Sequence, residues 1–494
     1  MIGLPPLEQM IVRADAMLRE ALGVIDRNTQ GVCFAVEGRV VVGVLSDGDI
    51  RRAMMGGAQI ETPVSEIMQR DFVCLPVNTP LKQIQDHLST QITHIPIVDT
   101  AGELVDYACA SRYHQVPLVQ PVLDGNELEY VTDCIRTGWI SSQGKYVRQF
   151  EETFGRYVGC PQALAVSNGT VALHLALVTL GIGPGDEVIV PDLTFVATVN
   201  AVLYVGATPV LVDVDPDTMA MNMDIVERII SKKTRAIIPV HLYGHPADMS
   251  QVMALARRHG LVVVEDCAEA LGSLYQGAHV GILGDASIFS FYGNKTITTG
   301  EGGMVVFKDA AMLERAHILR DHGMSRERRF WHDQVGYNYR MTNIQAAIGV
   351  AQMERAAEFM AHKRWIAQQY RQRLSAVVDL RLPGEFGDVV NSYWLYTVVL
   401  PRELAPRRDK ILDQLLKNGV EVRPVFCPMH RMPPYAPFVM AGQTYTVSEF
   451  VADAGISLPT GATMNEADIN KVCLVLSHVI AQYRVVEAHE LKPA

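Results

Sequence analysis

The chain has 494 residues, 49% hydrophobic and 20% charged, the balance of a globular protein long enough for two to four domains. Its 43 basic and 54 acidic side chains give a formal net charge of −11, which argues against a general nucleic-acid binder but leaves room for a local basic pocket. Eight cysteines lie scattered with no C-x-x-C pair, so no metal site and no disulfide framework is expected, and reduced thiols in a cytoplasmic protein are the simpler reading.

The opening MIGLPPLEQMIVRADAM carries charges where a secretory signal needs an apolar run. A helical pattern, MLREALGVIDRN, then leads into a β-rich stretch, GVCFAVEGRVVVGVLSDGDI, and a helix from about Arg51. After SEIMQRDFVCLPVNTP a second round follows: a helix near LKQIQDHLSTQ, then ITHIPIVDTAGELVDYA. Two copies of helix, paired strands and turn predict an internal repeat over residues 1–115. This segment resembles a pair of CBS modules, a regulatory fold that commonly binds adenine nucleotides. The first copy carries GVLSDGD (Gly43 to Asp49), in which the resemblance implies that Ser46 and Asp49 contact phosphate and ribose of an adenine or guanine nucleotide. The second copy departs from the pattern: after Val105 it reads DYACASRYHQ, with no Ser/Thr-x-x-Asp in the expected place. A pair that serves only subunit assembly is the competing reading.

Beyond a proline-containing junction (Val116 to Leu123), strand and helix patterns alternate. The apolar runs EVIVPD, TPVLVDV, AIIPVHLYG and LVVVED are separated by helical runs such as DMSQVMALARRHG. No apolar run reaches membrane-spanning length; VNAVLYVGATPVLV is broken by Asn200, Gly206 and Pro209. The alternation predicts an α/β fold, with a mostly parallel sheet between helices, over a large domain at 116–354. From residue 355 a long polar helix, AQMERAAEFMAHKRWIAQQYRQRL, opens a smaller α+β domain that runs to 494.

In such a fold, ligands gather at the loops after the sheet strands. In AVSNGTVALHLAL a strand end meets Gly169 and Thr170, and the following helix start offers free N–H groups to an anion; alone, such a turn is more often a plain helix cap. In LVVVEDCAEALGS the apolar run ends on Glu265 and Asp266, carboxylates that are costly to bury without a cation or donors. In ASIFSFYGNKTITTGEGG, Lys295 stands 29 residues after Asp266 with no acidic residue near it until Glu301. A crowded, desolvated amine loses its preference for charge and becomes nucleophilic, although a lone lysine is ordinarily a solvated loop residue. The three together are what pyridoxal 5'-phosphate demands: a lysine for the covalent link, an aspartate for the pyridinium nitrogen and an anion site for the phosphate. Phe195, in the loop after EVIV, is the candidate stacking ring.

The stretches GWISSQGKYVRQFE, VSNGTVALHLAL, DLTFVAT, VVVEDCAEALGS, SFYGNKTITTGEGG, VGYNYRMTNIQAAIG and VRPVFCPMH resemble, in order, the DegT-type sugar-nucleotide aminotransferases of pyridoxal-phosphate fold type I. The resemblance runs from about Val119 to the C-terminus. It implies that Lys295 is the Schiff-base lysine and proton shuttle, that Asp266 pairs with the ring nitrogen, and that Glu269 lies near the cofactor's 3-hydroxyl. Gly169, Thr170 and Ser290 match phosphate contacts, and Phe195 the stacking position. Asn338 and Arg340, in VGYNYRMTN, match the region that reaches across a homodimer or higher homo-oligomer. Arg423 and His430 match substrate-side positions, for which surface or capping roles stand as alternatives. Within the family, FYGNKTITTGEGG and HLYGHPADM are most similar to the members that aminate C4 of GDP-4-keto-6-deoxymannose, with L-glutamate as the expected donor. Two other readings compete. Sugar dehydratases of the same fold typically carry histidine where this chain has Lys295, and a nucleotide sensor with a non-catalytic relic would not need the whole cofactor set.

Overall fold

The computed structural model describes residues 5–89, 91–109 and 115–490. The chain divides into two compact units, the first made of Met1–Gln115 with Lys417–Gly419 and the second of Val116–Leu416 with Val420–Ala494.

The first unit repeats one motif. Strand β1 (Ile11–Arg13) runs parallel to β2 (Val32–Glu37), which forms an antiparallel hairpin with β3 (Val40–Ser46). In the second half β4 (Leu75–Pro76) runs parallel to β5 (His94–Val98), itself antiparallel to β6 (Leu104–Cys109). Both hairpins shift register once, at Ala35/Val36 and at Ile97/Val98. Shared topology and a shared irregularity make this the internal repeat that the sequence predicts. Helix Asp47–Met55 follows β3; the corresponding stretch of the second copy, where DYACASRYHQ departs from the pattern, lies partly outside the described residues.

The second unit is built on seven strands: β7 (Ala163–Val166), β8 (Glu187–Pro191), β9 (Thr208–Val212), β10 (Thr234–Ile237), β11 (Val262–Asp266), β14 (Ala286–Ser290) and β15 (Gly303–Phe307), β12 (Leu274–Tyr275) and β13 (Ala278–His279) forming a small hairpin apart. Their order is β7-β15-β14-β11-β10-β8-β9. All run one way except β15, which is antiparallel to both its neighbours, so the fold is α/β around a mostly parallel sheet.

Why these runs make a buried sheet is visible in their alternation. Successive strand side chains point to opposite faces. On one face Leu164, Val188, Val190, Leu211, Val264, Ile288 and Val305 join a single core with helices Gly169–Thr179 and Val196–Tyr204. On the other, Ala165, Phe289 and Met304 pack with helices Lys145–Val158 and Asn343–Glu354, while Ile189, Val210 and Val263 pack with helix Met249–His259. Helix Lys145–Val158 buries Tyr146 and Val147, then Phe150, Phe154 and Val158 at steps of three or four. Phe150 and Phe154 are each wholly buried, which contributes about 1.5–3 kcal/mol apiece.

The boundary expected at 354/355 falls between helices Asn343–Glu354 and Ala356–Leu374, within the second unit. Beyond it stand β16 (Val389–Val390), paired with β12, and an antiparallel sheet in the order β17 (Tyr396–Val399), β19 (Gly455–Leu458), β18 (Arg423–Pro424).

Candidate active site

Because six strands share one direction, their carboxyl ends gather along one edge of the sheet. There lies a cavity of about 740 Å³, lined among others by Gly169, Thr170, Phe195, Asp266, Glu269, Ser290, Lys295 and Arg423. These eight expected site residues come from separate strand ends and loops, and the topology alone unites them.

The helix Gly169–Thr179 begins at the end of β7, with Asn168 accepting the Val171 N–H at 3.0 Å as its cap. That leaves the first N–H groups of the helix facing the cavity without intrahelical partners. Gly169 is glycine for a steric reason: a Cβ there would stand 3.0 Å from the Cβ of Ser290 at the end of β14. The two chain segments therefore close into one shallow cradle of N–H groups and hydroxyls, the form of an anion site.

Asp266 ends β11, almost completely buried. Its Oδ2 accepts from the Thr198 hydroxyl at 2.8 Å and its Oδ1 from the Ala268 N–H at 3.1 Å; Thr194 in turn meets Thr198 at 3.0 Å. Burial pushes this carboxyl above its ordinary range, against those hydrogen bonds and the attraction of Lys295. A buried carboxylate in that condition is completed by a cationic partner.

Lys295 Nζ lies 3.4 Å from Glu269 Oε1 and 3.8 Å above the centre of the Trp394 ring. Burial also raises the Glu269 carboxyl, with Lys295 opposing and the Tyr243 N–H donating to its Oε2 at 2.9 Å. Phe195 is exposed at the cavity and faces Phe426 at 5.8 Å; Phe426 and Trp394 both stack on Tyr243.

Five expected residues stand elsewhere. His430 does not line the cavity: its ring bonds Asp192 at 2.7 Å and Glu449 at 3.2 Å and stacks on Tyr445 at 4.5 Å, which ties distant parts of the second unit together. Arg340 pairs with Asp321 at 2.9 Å, and Asn338 bridges to the same residue through its backbone. Their segment runs beside the end of β7, where Ser167 N–H donates to the Tyr339 carbonyl at 2.9 Å, without lining the cavity. In the first unit Ser46 caps helix Asp47–Met55 and exchanges hydrogen bonds with Asp49, whose other oxygen accepts from Arg52 at 2.6 Å and Gln69 at 3.1 Å. Burial works against the Asp49 charge, but these bonds outweigh it and hold the carboxyl below its ordinary range.

Sequence reasoning left out Thr198, Tyr243, Asn294, Trp394 and Phe426. Thr198 lies inside DLTFVAT and had a signal, as a hydroxyl in the first turn of the helix that follows a strand and its loop; Trp394, in NSYWLYTVVL, reads only as part of an apolar run.

Fold and cavity are those of a pyridoxal-phosphate-dependent aminotransferase. The chain belongs to the DegT/DnrJ/EryC1/StrS aminotransferase family, which residues 121–477 match, while residues 7–56 and 64–107 each match a CBS domain. It is 47% identical to the GDP-perosamine synthase of Caulobacter vibrioides over 74% of this chain and 98% of that protein. With the GDP-perosamine synthase of Escherichia coli O157:H7 the identity is 46%, over 72% and 96%. Among solved structures, the aminotransferase TlmJ from Streptoalloteichus hindustanus superposes with a TM-score of 0.70 at 32% identity, covering 75% of this chain and all of that one. Helicobacter pylori PseC, an aminotransferase involved in pseudoaminic acid biosynthesis, gives 0.71 at 27%, covering 74% and 100%. Pyridoxal 5'-phosphate is the cofactor of the family, and the residues present suit it: a cradle for a dianion, a buried carboxyl whose charge burial opposes, an exposed aromatic face and an amine in one cavity. Among the described residues no helix is long and apolar enough to cross a membrane.

Proposed function

We propose that the enzyme converts GDP-4-keto-6-deoxymannose to GDP-perosamine, taking its amino group from L-glutamate. The observation that carries this reading is the meeting of Lys295, Asp266 and the Gly169 helix start in one cavity; the likeness to two GDP-perosamine synthases supports the substrate.

In this reading Gly169, Thr170 and Ser290 hold the cofactor phosphate, Phe195 covers one face of its ring, and Asp266 keeps a proton on the ring nitrogen. The bound cofactor supplies an electron sink that acidifies the carbon bearing the nitrogen. Lys295 takes the proton from the α-carbon of glutamate and returns one at the cofactor's C4′; with the keto-sugar it runs the same transfer backwards. Glu269, 3.4 Å from the amine, fixes where Nζ rests between transfers. Arg423, on the cavity rim, provides a charge for the sugar nucleotide. Asn338 and Arg340 complete the site of a second copy in a homodimer or larger assembly, and a nucleotide at Ser46 and Asp49 modulates activity.

The test is to incubate the enzyme with L-glutamate and a panel of 4-keto and 3-keto sugar nucleotides, following 2-oxoglutarate. Release with the GDP-4-keto sugar and none with Lys295→Ala is the expected outcome. Release with no member of the panel, or turnover in the alanine variant, sinks the proposal. Adding adenine and guanine nucleotides to the same assay tests modulation.

A further inference from the structure

Trp394 is held at four points. Its indole N–H donates to the backbone carbonyl of Asn294, the residue before Lys295, at 2.8 Å. Its own carbonyl accepts from the Thr460 hydroxyl at 2.7 Å and from Lys363 Nζ at 3.2 Å. One of its neighbours is Tyr243, whose ring lies parallel to it within 10°. Lys363 is itself a buried lysine that forms no salt bridge among the described residues, and its remaining bonds go to Thr460, at 2.9 Å to the carbonyl and 3.2 Å to the hydroxyl. Burial opposes the charge of this amine and lowers its pKa to about 7, while its hydrogen bonds hold the Trp394 and Thr460 carbonyls and the Thr460 hydroxyl in place. What this arrangement holds steady is a single ring with Lys295 Nζ 3.8 Å from its centre.

We infer that Trp394 is the positioning residue that holds Lys295 in its charged, proton-bearing state between the two proton transfers. The inference rests on Lys295 being the proton carrier, as proposed above. Two groups attract the freed amine in the cavity: Glu269, at 3.4 Å, and the Trp394 ring. They differ chemically. A carboxylate is a base and can take the proton, whereas an aromatic face attracts an ammonium through its quadrupole and cannot accept the proton. An ammonium resting on the ring therefore keeps its proton available for delivery at C4′. A four-carbon side chain released from its covalent link also regains rotamer freedom, and the fixed ring restricts where Nζ settles. The bond from the indole to the Asn294 carbonyl makes the restraint local, because ring and lysine backbone move as one body.

The test compares Trp394→Phe, which keeps an aromatic face but loses the N–H, with Trp394→Leu, which keeps an apolar side chain without a π face. Acylation of Lys295 by acetic anhydride in the cofactor-free protein, followed by peptide mass spectrometry, reads how firmly the charged amine is held. Wild type is expected to react slowest, Phe next, and Leu about five- to tenfold faster than wild type. In turnover with L-glutamate and the keto-sugar nucleotide, Leu is expected to lower kcat by about 10- to 100-fold, with each KM within about threefold. A packing role alone would leave Phe and Leu alike, and equal acylation rates for these two, or a wild-type rate in Leu, overturns the inference. Thermal unfolding of both variants separates a folding defect from a site effect. Borohydride reduction of the wild-type holoenzyme, with mapping of the cofactor-bearing peptide, keeps the two readings apart: a label away from Lys295 refutes the lysine assignment itself.

Discussion

Glu265 and Asp266 are adjacent carboxylates on one strand, and the pleat sends them to opposite faces. Asp266 meets the cavity. Glu265 meets the N–H groups of Gly281, Leu283 and Gly284, at 2.7–2.8 Å, and Nε2 of His241 at 3.2 Å. The His241 tautomer follows, since Nδ1 accepts from the Ala247 N–H at 3.0 Å, which leaves Nε2 to donate. Close neighbours make His241, Glu265 and Cys267 a geometric candidate for a metal, but the glutamate oxygens are already occupied by the chain's own donors. Burial opposes the Glu265 charge, and the bonds from His241 and the backbone overcome it, so its carboxyl is held below the ordinary glutamate range. The sign of the linkage is then definite. A depressed native carboxyl adds stability above its unfolded value, near pH 4.3, and that stability is lost as pH falls through the lower native value. Glu265→Gln is expected to cost about 1.5–3 kcal/mol at neutral pH and to flatten the fall of the urea midpoint between pH 5 and 3. Parallel pH profiles for variant and wild type would refute this. Asp266→Asn should divide the other way: fold largely kept, since only the charge is removed, and kcat/KM for transamination reduced by about 100-fold or more.

At the scale of elements, the site depends on two chain segments approaching closely. Gly169 opens its helix against Ser290, and a Cβ at Gly303 would stand 2.5 Å from the Asn168 carbonyl oxygen, a backbone atom that cannot yield alone. Gly169→Ala should therefore press Ser290 aside and weaken pyridoxal 5'-phosphate retention, about tenfold in equilibrium dialysis, while the helix itself gains propensity. Unchanged retention would mean that the cradle is not where the phosphate sits. The same elements explain what was legible in the sequence. The strands were readable because both faces of each are apolar, as in any sheet covered by helices. The strand order was not: β7 lies beside β15 and not beside β8, a choice made by helices packing on either face, which no local pattern encodes. Lys295, Asp266 and Gly169 stood out because each lies at the end of a strand-like apolar run or in the loop just after it. Trp394 did not, because in NSYWLYTVVL an aromatic is the expected occupant of a buried strand. His430 came from the resemblance alone, with a surface or capping role as the alternative, and its partners Asp192, Glu449 and Tyr445 are visible only in three dimensions.

For the whole molecule, the relevant fact is that the relatives align over about three quarters of this chain but nearly all of their own length. Everything that lines the cavity belongs to the second unit, from Asn168 to Phe426. That unit has its own hydrophobic cores on each face of the sheet and its own antiparallel sheet beyond residue 355. A chain beginning at Val116 is accordingly expected to fold, to bind pyridoxal 5'-phosphate and to form 2-oxoglutarate from glutamate and its keto-sugar. What it should lose is any response of rate or thermal stability to adenine or guanine nucleotides. The ground for placing such a response in the first unit is the match of its two halves to CBS domains; here the Ser46 and Asp49 side chains bond each other, and Asp49 also accepts from Arg52 and Gln69. A nucleotide there must exchange partners with Arg52 and Gln69 rather than enter a vacant set of donors, so binding would be accompanied by rearrangement at the start of helix Asp47–Met55. Asp49→Ala should abolish the nucleotide-dependent shift in unfolding temperature and leave transamination by the full chain unchanged in the absence of nucleotide. Loss of basal activity in that variant would instead make the first unit part of the catalytic assembly.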